Sequence, residues 1–116
     1  MTIFRDLAAI AHTGTSHDPA ILKQVLLARE DAVASIMQLA QSTLQPGQLV
    51  EPHSHVDMWE VFWVQSGVLR CSVDGLDHVL EPGQLIVVAP GQAHGVACVG
   101  DEPVVMVVLG VQGEPA

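Results

Sequence analysis

The sequence has few cationic side chains. Its 116 residues contain four Lys and Arg against thirteen Asp and Glu, which gives a formal net charge of −9. A surface of this sign repels the phosphates of nucleic acids and anionic membrane surfaces, so we expect neither as a partner. The shortage of cations also argues against a phosphorylated sugar as ligand, because phosphate sites use Lys and Arg.

Cysteines and long apolar runs are scarce as well. The chain has two cysteines, Cys71 and Cys98, and no N-terminal stretch resembles a secretory leader. We therefore expect two reduced thiols in a cytoplasmic protein rather than a disulfide. The longest apolar run, residues 104–109, is much shorter than the roughly 18 residues that a membrane-spanning helix needs, so no membrane association is expected.

The sequence does contain a series of short β-type segments in a chain of single-domain length. Hydrophobic residues make up 49% of the chain and charged residues 15%, a balance that argues against disorder. Turn signals such as Asp74-Gly75, Pro82-Gly83 and Pro90-Gly91 separate the segments. Their regular spacing predicts an all-β sandwich or barrel. The predicted strands are residues 61–64, 68–73, 76–80, 84–88, 94–99 and 104–111.

Residues 47–67 carry the strongest chemical signal. Alternate side chains of a β-strand share a face, so His53 and His55 should point to the same side. Glu60 has the opposite parity and can join them only if the chain turns or bulges between His55 and Glu60. A fourth candidate, His94, follows a Pro-Gly turn. Imidazole and carboxylate together suit borderline divalent metals such as Mn, Fe, Co, Ni, Cu or Zn.

The spacing of these residues resembles the two sequence motifs of the cupin superfamily. The first motif is matched at each of its fixed positions, by Gly47, His53, His55, Glu60 and Gly67. The second motif is matched by Gly83, Gly91 and His94. It departs from the family at Ala89, where Pro is usual, and at Cys98, where Asn is usual.

The resemblance implies a double-stranded β-helix, or jelly-roll, cupin barrel over residues 18–112. Residues 1–17 would form a short irregular or helical extension, and residues 113–116 a loose tail. It also implies one divalent transition metal, Fe, Mn, Ni, Cu or Zn, as the cofactor. The implied metal ligands are His53, His55, Glu60 and His94.

Residues 18–44 present a conflict between local propensity and the family fold. Asp18-Pro19 is a good helix start, and the residues that follow are rich in helix formers. In small cupins the equivalent region forms two strands, and tertiary context can override propensity. We therefore predict strands at residues 23–28 and 35–44.

Strand parity predicts the lining of the barrel interior. Every second residue beyond a ligand shares the face of that ligand, which places four apolar side chains on the same faces as Glu60 and His94. The predicted substrate pocket consists of Phe62, Val64, Val96 and Cys98. Cys98 is expected there as a small buried hydrophobe rather than as a thiol near the metal.

Other conspicuous side chains have structural interpretations. His12 and His17 lie in a turn-rich stretch, and both are expected at the surface. Arg70 is expected at the surface, because its parity suits an outer face, and pairing with a substrate carboxylate is the alternative. His78 lies outside both motifs and is expected to be structural or exposed. Trp59 lies between two ligands and could either form the mouth of the pocket or pack outside the barrel.

The resemblance leaves several classes of function open. We expect a metal-dependent enzyme, dioxygenase-like, acting on a small and largely apolar organic molecule, because cupins of this build include dioxygenases, isomerases, epimerases and decarboxylases. A non-catalytic module that senses a metabolite or the metal, and a sugar isomerase or epimerase, would share the fold and the ligands. Were the ion tetrahedral zinc, four protein ligands would fill its coordination sphere and the role would be structural.

The last apolar segment predicts a homodimer. Residues 104–111, VVMVVLGV, are apolar at nearly every position, so both faces of this strand should be buried. In a lone small barrel one face would meet water, and in many cupins a second subunit covers it.

Overall fold

The described chain folds into ten β-strands that form two sheets. The computed structural model describes residues 2–114. The strands are β1 Thr13–Gly14, β2 Leu22–Ala28, β3 Ile36–Leu44, β4 Leu49–His53, β5 Met58–Ser66, β6 Val68–Val73, β7 Leu76–Leu80, β8 Leu85–Val88, β9 His94–Val99 and β10 Val104–Gln112. The helical content of these residues consists of two 3-10 turns, Leu7–Ala9 and Arg29–Asp31. Within residues 2–114 no helix is long and apolar enough to cross a membrane.

The two sheets are antiparallel throughout. One has six strands in the order β1-β2-β3-β10-β5-β8, and the other has four in the order β4-β9-β6-β7. Side chains from both sheets form one core, which includes Leu44, Val64, Leu69, Leu80 and Val104. The prediction of an all-β jelly-roll barrel is confirmed.

The strands predicted within residues 18–44 are present as β2 and β3. Strand β3 lies between β2 and β10 in the six-stranded sheet and pairs with both of them. Its inward residues Ala40, Ser42 and Leu44 are buried, while the residues between them are only half-buried. A helix would keep Ala40 and Leu44 on one face but turn Ser42 to the opposite side. Pairing on both sides and burial of one face therefore override the helix propensity of this segment.

The N-terminal extension is attached to the barrel. Its helical part is the single 3-10 turn Leu7–Ala9, in which the Asp6 side chain accepts a hydrogen bond from the Ala8 N–H at 3.0 Å. The Gln24 side chain donates to the carbonyl oxygens of Leu7 and Ile10, at 3.0 and 2.9 Å. Further along, β1 extends the six-stranded sheet by pairing with β2.

An ion pair also joins this extension to the turn after β2. The Arg5 guanidinium donates to both carboxylate oxygens of Asp31, at 2.8 and 3.0 Å, and lowers the pKa of that carboxyl. At the other end of the chain, the Gly113 N–H donates to the Asp57 carbonyl at 2.8 Å. Residues 115 and 116 of the predicted loose tail lie outside the described residues, and the division at residues 18 and 112 stays a prediction.

Both cysteines are free thiols, as expected. Cys71 is completely buried, which together with the nearby charge of Glu60 raises the pKa of its thiol to about 11 and keeps it protonated. Cys98 is half-buried. The cytoplasmic location stays a prediction.

The outer face of the six-stranded sheet is apolar and open. Along β10, Val104, Met106 and Val108 face inward and are buried, whereas the alternate residues are half-buried. The prediction that both faces of this strand are buried therefore holds within one chain only for the inner face. Neighbouring strands β5 and β8 add Trp63 and Leu85, whose exposed fractions are 44% and 57%, to the same apolar surface.

Two glycines of the first motif have left-handed backbones for different reasons. Gly47 has φ of +86° and no atom within 4 Å of the place a Cβ would occupy. Gly67 has φ of +76°, and a Cβ there would collide with the Pro103 carbonyl oxygen and lie 2.9 Å from the Val104 Cα. Gly67 is thus required both by its conformation and by the close approach of the chain before β10.

Gly67→Ala should destabilise the barrel much more than Gly47→Ala. Both variants place a side chain in the left-handed region, but only the variant at Gly67 also forces two backbone segments apart. We expect the free energy of unfolding to fall by at least about 3 kcal/mol for Gly67→Ala and by about 1 kcal/mol for Gly47→Ala. Denaturant unfolding followed by tryptophan fluorescence measures both losses. Equal losses would contradict the steric explanation.

Candidate metal centre

The four predicted metal ligands converge between the two sheets. His53 ends β4 and pairs in register with His94, the first residue of β9. Glu60 lies on β5 in the opposite sheet, and His55 lies in the loop between β4 and β5. One donor atom from each of the four lies within 4.8 Å of the others.

Glu60 can join the histidines because the chain turns in this β4–β5 loop, residues 54–57, as the parity of Glu60 predicted. Strand β4 ends at His53, so His55 reaches the cluster from the loop and not from the strand face that we predicted. The Gly91 N–H donates to the His55 carbonyl at 2.7 Å, and this bond ties the loop to the turn before β9.

Glu60 is the electrostatic centre of the cluster. Its Oε1 lies 2.9 Å from the Nε2 of His94 and 3.8 Å from the Nε2 of His55. Burial alone would lower the pKa of His94, but hydrogen bonds to Glu60 and to the Gln92 carbonyl, with the negative charge of Glu60, raise it. The pKa of His55 is lowered, because burial and the nearby imidazoles of His53 and His94 outweigh the attraction of Glu60.

The hydrogen bonds behind two of the histidines fit metal ligation. The Nδ1 of His53 lies 2.9 Å from the Glu51 carbonyl oxygen, and the Nδ1 of His94 lies 3.0 Å from the Gln92 carbonyl oxygen. A carbonyl only accepts, so each Nδ1 carries the proton and donates. The lone pair of the His53 Nε2 is then available to a cation, an arrangement usual for metal-binding histidines, and at His94 a cation would replace the proton that Nε2 donates to Glu60. The residues therefore fit one divalent metal ion.

The turn that carries His94 is braced by Asp74. The Asp74 carboxylate accepts hydrogen bonds from the Ala93 N–H at 3.0 Å and from the Gln92 side chain at 3.2 Å. Gly95, the next residue, lets β4 approach closely, since a Cβ there would lie 2.6 Å from the Val50 carbonyl oxygen. These contacts fix the position of the His94 imidazole, which is 2% exposed.

The ligand cluster opens onto a cavity of about 290 Å³ inside the barrel. All four ligands line it, together with apolar side chains that include Met58, Phe62, Val96, Met106 and Val108. The volume lies at the small end of the range for organic-ligand sites. A small molecule held there would lie beside the candidate metal.

Two of the four predicted pocket residues line this cavity and two do not. Phe62 and Val96 line it, whereas Val64 packs in the core and Cys98 is half-buried further along β9. Val64 is fully buried in the core, and the Cys98 thiol donates to the Glu102 carbonyl at 3.1 Å. Parity gave the correct face, but each of these residues lies four positions, or about 13 Å, along the strand from its ligand. Val64 and Cys98 therefore lie outside this cavity, and the substrate pocket itself stays a prediction.

N-terminal residues also border the cavity, which no pattern in the sequence indicates. His17 is exposed, as expected, but its ring centroid lies 4.2 Å from that of His53, and it lines the cavity with Thr15 and Ser16. The partial burial of its imidazole lowers the pKa of His17 most, and repulsion from the nearby histidines lowers it further. Nothing in the turn-rich sequence around it has a period or spacing that points to His53.

The remaining predictions near the site have clear outcomes. Met58, not Trp59, lines the cavity, while Trp59 contacts the chain at Gly113 and so packs outside. Arg70 and His78 are exposed, in agreement with their predicted surface positions.

Solved structures with a similar fold come from several organisms. A predicted oxalate decarboxylase from Thermotoga maritima is 18% identical, with a TM-score of 0.85 over 95% of this chain and 99% of that one. KdgF from a Halomonas species is 15% identical, with a TM-score of 0.77 over 96% and 94%. A Cupin 2 conserved barrel domain protein from Salinispora arenicola is 20% identical, with a TM-score of 0.72 over 96% and 89%. At these identities the likeness concerns the fold alone.

Comparison at the level of sequence gives the family. A search of curated proteins finds no significant match. The family model of the cupin domain matches residues 40–110, which is more than half of the chain and includes both motifs and all four candidate ligands. This chain belongs to the cupin family.

Proposed function

We propose that this cupin is a metal-dependent enzyme that acts on a small organic molecule. The observation that carries the proposal is that the four candidate ligands form part of the wall of the internal cavity. A purely structural metal site would be closed off by its ligands, whereas this one faces space that a substrate can occupy.

A bound Fe, Mn, Ni or Cu ion would supply Lewis-acid or redox chemistry at the cavity wall. The chain's own residues would prepare the substrate. Phe62, Val96 and Met106 would exclude water from its apolar part. The Glu60 carboxylate, 13% exposed and hydrogen-bonded to His94, is placed to accept a proton from a bound molecule.

A dioxygenase-like reaction is the specific activity that we propose. The apolar walls of the cavity favour a substrate with an apolar or aromatic body over a free sugar. Decarboxylation is a second candidate reaction, favoured by the similar fold of the predicted oxalate decarboxylase from Thermotoga maritima.

Metal binding is tested by elemental analysis of protein purified without chelator or affinity metal. We expect about one equivalent of transition metal per chain, and a loss of affinity of at least about 100-fold in His53→Ala and His94→Ala. His78→Ala is the matched control, because His78 is exposed and remote from the cluster. Wild-type metal content in both ligand variants would contradict the assignment.

Turnover is tested by oxygen uptake and carbon dioxide release in each metal form. The substrates to assay are flavonols, diketones, catechols and small carboxylic acids. We expect activity that a chelator abolishes and that Glu60→Gln reduces at least about 100-fold, because the variant loses both a ligand and a base. Ligand binding without turnover in any metal form would favour the alternative of a metabolite-sensing module.

We also propose that two copies associate through the outer face of the six-stranded sheet. This face exposes Trp63, Leu85 and Val87 at 44%, 57% and 49%, and the half-buried outer residues of β10 lie beside them. A second copy of the same face would remove this apolar surface from water.

Light scattering at micromolar concentration tests the dimer. We expect a mass of two chains for the wild type and of one chain for Trp63→Glu, which places a charge within the apolar face. Val79→Glu is the control, since Val79 is 60% exposed on the other sheet and should leave the mass unchanged. A wild-type mass of one chain would contradict the proposal.

A further inference from the structure

Cationic side chains are concentrated at the cavity. The chain has four Lys and Arg, and two of them, Lys23 and Arg29, line the cavity that the metal ligands also line. Among the described residues that line it, Glu60 alone carries a carboxylate. The lining is therefore locally positive, with Lys23 half-buried and Arg29 exposed, in a protein whose net charge is −9.

These two cations are not used to stabilise the fold through ion pairs. Within residues 2–114 the ion pairs of Lys and Arg side chains are limited to that of Arg5 with Asp31. The Lys23 ammonium instead donates to the Gln38 side-chain oxygen at 2.8 Å, and Gln38 also lines the cavity. A neutral amide partner leaves the positive charge of Lys23 uncompensated, although the side chain is half-buried.

The cations and the metal ligands lie at separate places on the cavity wall. Gln38 on β3 pairs in register with Gly110 on β10, which pairs in register with Glu60 on β5. Two strand spacings of about 4.8 Å place the backbones of Gln38 and Glu60 roughly 10 Å apart. The missing side chain of Gly110 makes room for Met58, whose Sδ lies 2.7 Å from the place a Cβ would take.

The cavity thus has a cationic end, an apolar middle and a metal end. A ligand that matches it carries a negative group at one end and its reactive part at the other. A carboxylate suits the cationic end, because Lys and Arg form charge-assisted hydrogen bonds with it. The apolar middle, with Met58, Phe62 and Val108, suits a short hydrocarbon or aromatic body.

We propose that the substrate is a small carboxylic acid whose carboxylate binds Lys23 and Arg29 and whose other end faces the metal ligands. This inference rests on the proposed function, since it names the substrate class of the same cavity. A total of four Lys and Arg excludes a cationic surface, yet two of them suffice to bind an anionic ligand.

Binding of matched acids and amides tests the proposal. The probes are phenylacetate and 3-phenylpropanoate, each against its neutral amide, measured by titration calorimetry with the metal-loaded protein and with chelator-treated protein. We expect the metal-loaded wild type to bind at least one acid about tenfold or more tightly than its amide. Lys23→Met should reduce that preference at least about fivefold, and Arg29→Met should reduce it in the same direction.

Arg70→Met is the control variant, because Arg70 is exposed on the four-stranded sheet and does not line the cavity. It should keep the acid preference. Equal binding of acid and amide by the wild type, or no binding of either acid at millimolar concentration, would overturn the proposal. A full acid preference in both cavity variants would do so too, because the carboxylate would then bind at the metal end.

Metal content and folding, measured on the same samples, separate this proposal from the proposed function. A wild type that holds no metal but shows a Lys23-dependent acid preference would refute the metal-dependent enzyme and support the carboxylate site. A wild type with a full equivalent of metal and no acid preference would support the metal site and refute the carboxylate site. Circular dichroism confirms that each variant is folded before its binding is compared.

Discussion

The hydrogen bond between Glu60 and His94 is the contact on which the candidate site depends. It crosses from the six-stranded sheet to the four-stranded sheet at 2.9 Å, and its two side chains are only 13% and 2% exposed. Loss of either partner would leave a polar or charged group unpaired in the interior, which costs about 1–3 kcal/mol and more when the group is charged. The distance between the sheets at this end of the barrel is therefore set by polar contacts and not by apolar packing alone.

The interior of the barrel has two parts, a packed core and an open cavity beside the Glu60–His94 pair. Beyond the cluster, side chains such as Val64, Leu69 and Val104 fill the space completely, and each is 0% exposed. Beside the candidate ligands the chain leaves a cavity of about 290 Å³, where larger side chains could have packed. An unfilled cavity forgoes stabilising contacts. Its position beside the four candidate ligands is what a binding site requires.

The fold and the ligands could be predicted because their signals are local. His53, His55 and Glu60 lie within eight residues of sequence, and His94 follows a recognisable turn. The other wall of the cavity could not be predicted in this way. Lys23 pairs in register with Ser42, and its side chain then reaches along the sheet to Gln38, which is 15 residues away in the sequence. Parity likewise identifies an inward face but not a depth along the barrel, so it could not show that Val64 and Cys98 lie outside the cavity.

The rim of the cavity has a different stability from its walls. The walls belong to strands that pair along their length, whereas Thr15–His17 and Arg29 at the rim belong to the segments before and after β2. The contacts of these segments include the exposed ion pair of Arg5 with Asp31 and part-buried hydrogen bonds, those of the Gln24 side chain and that of the Thr15 hydroxyl with the Asp18 carbonyl. An exposed ion pair stabilises little, because solvent screens it, and a single hydrogen bond contributes about 0.5–1.5 kcal/mol. We therefore expect the rim to open at a lower free energy than the barrel unfolds, which would let a ligand pass the N-terminal segment without disturbing the metal ligands.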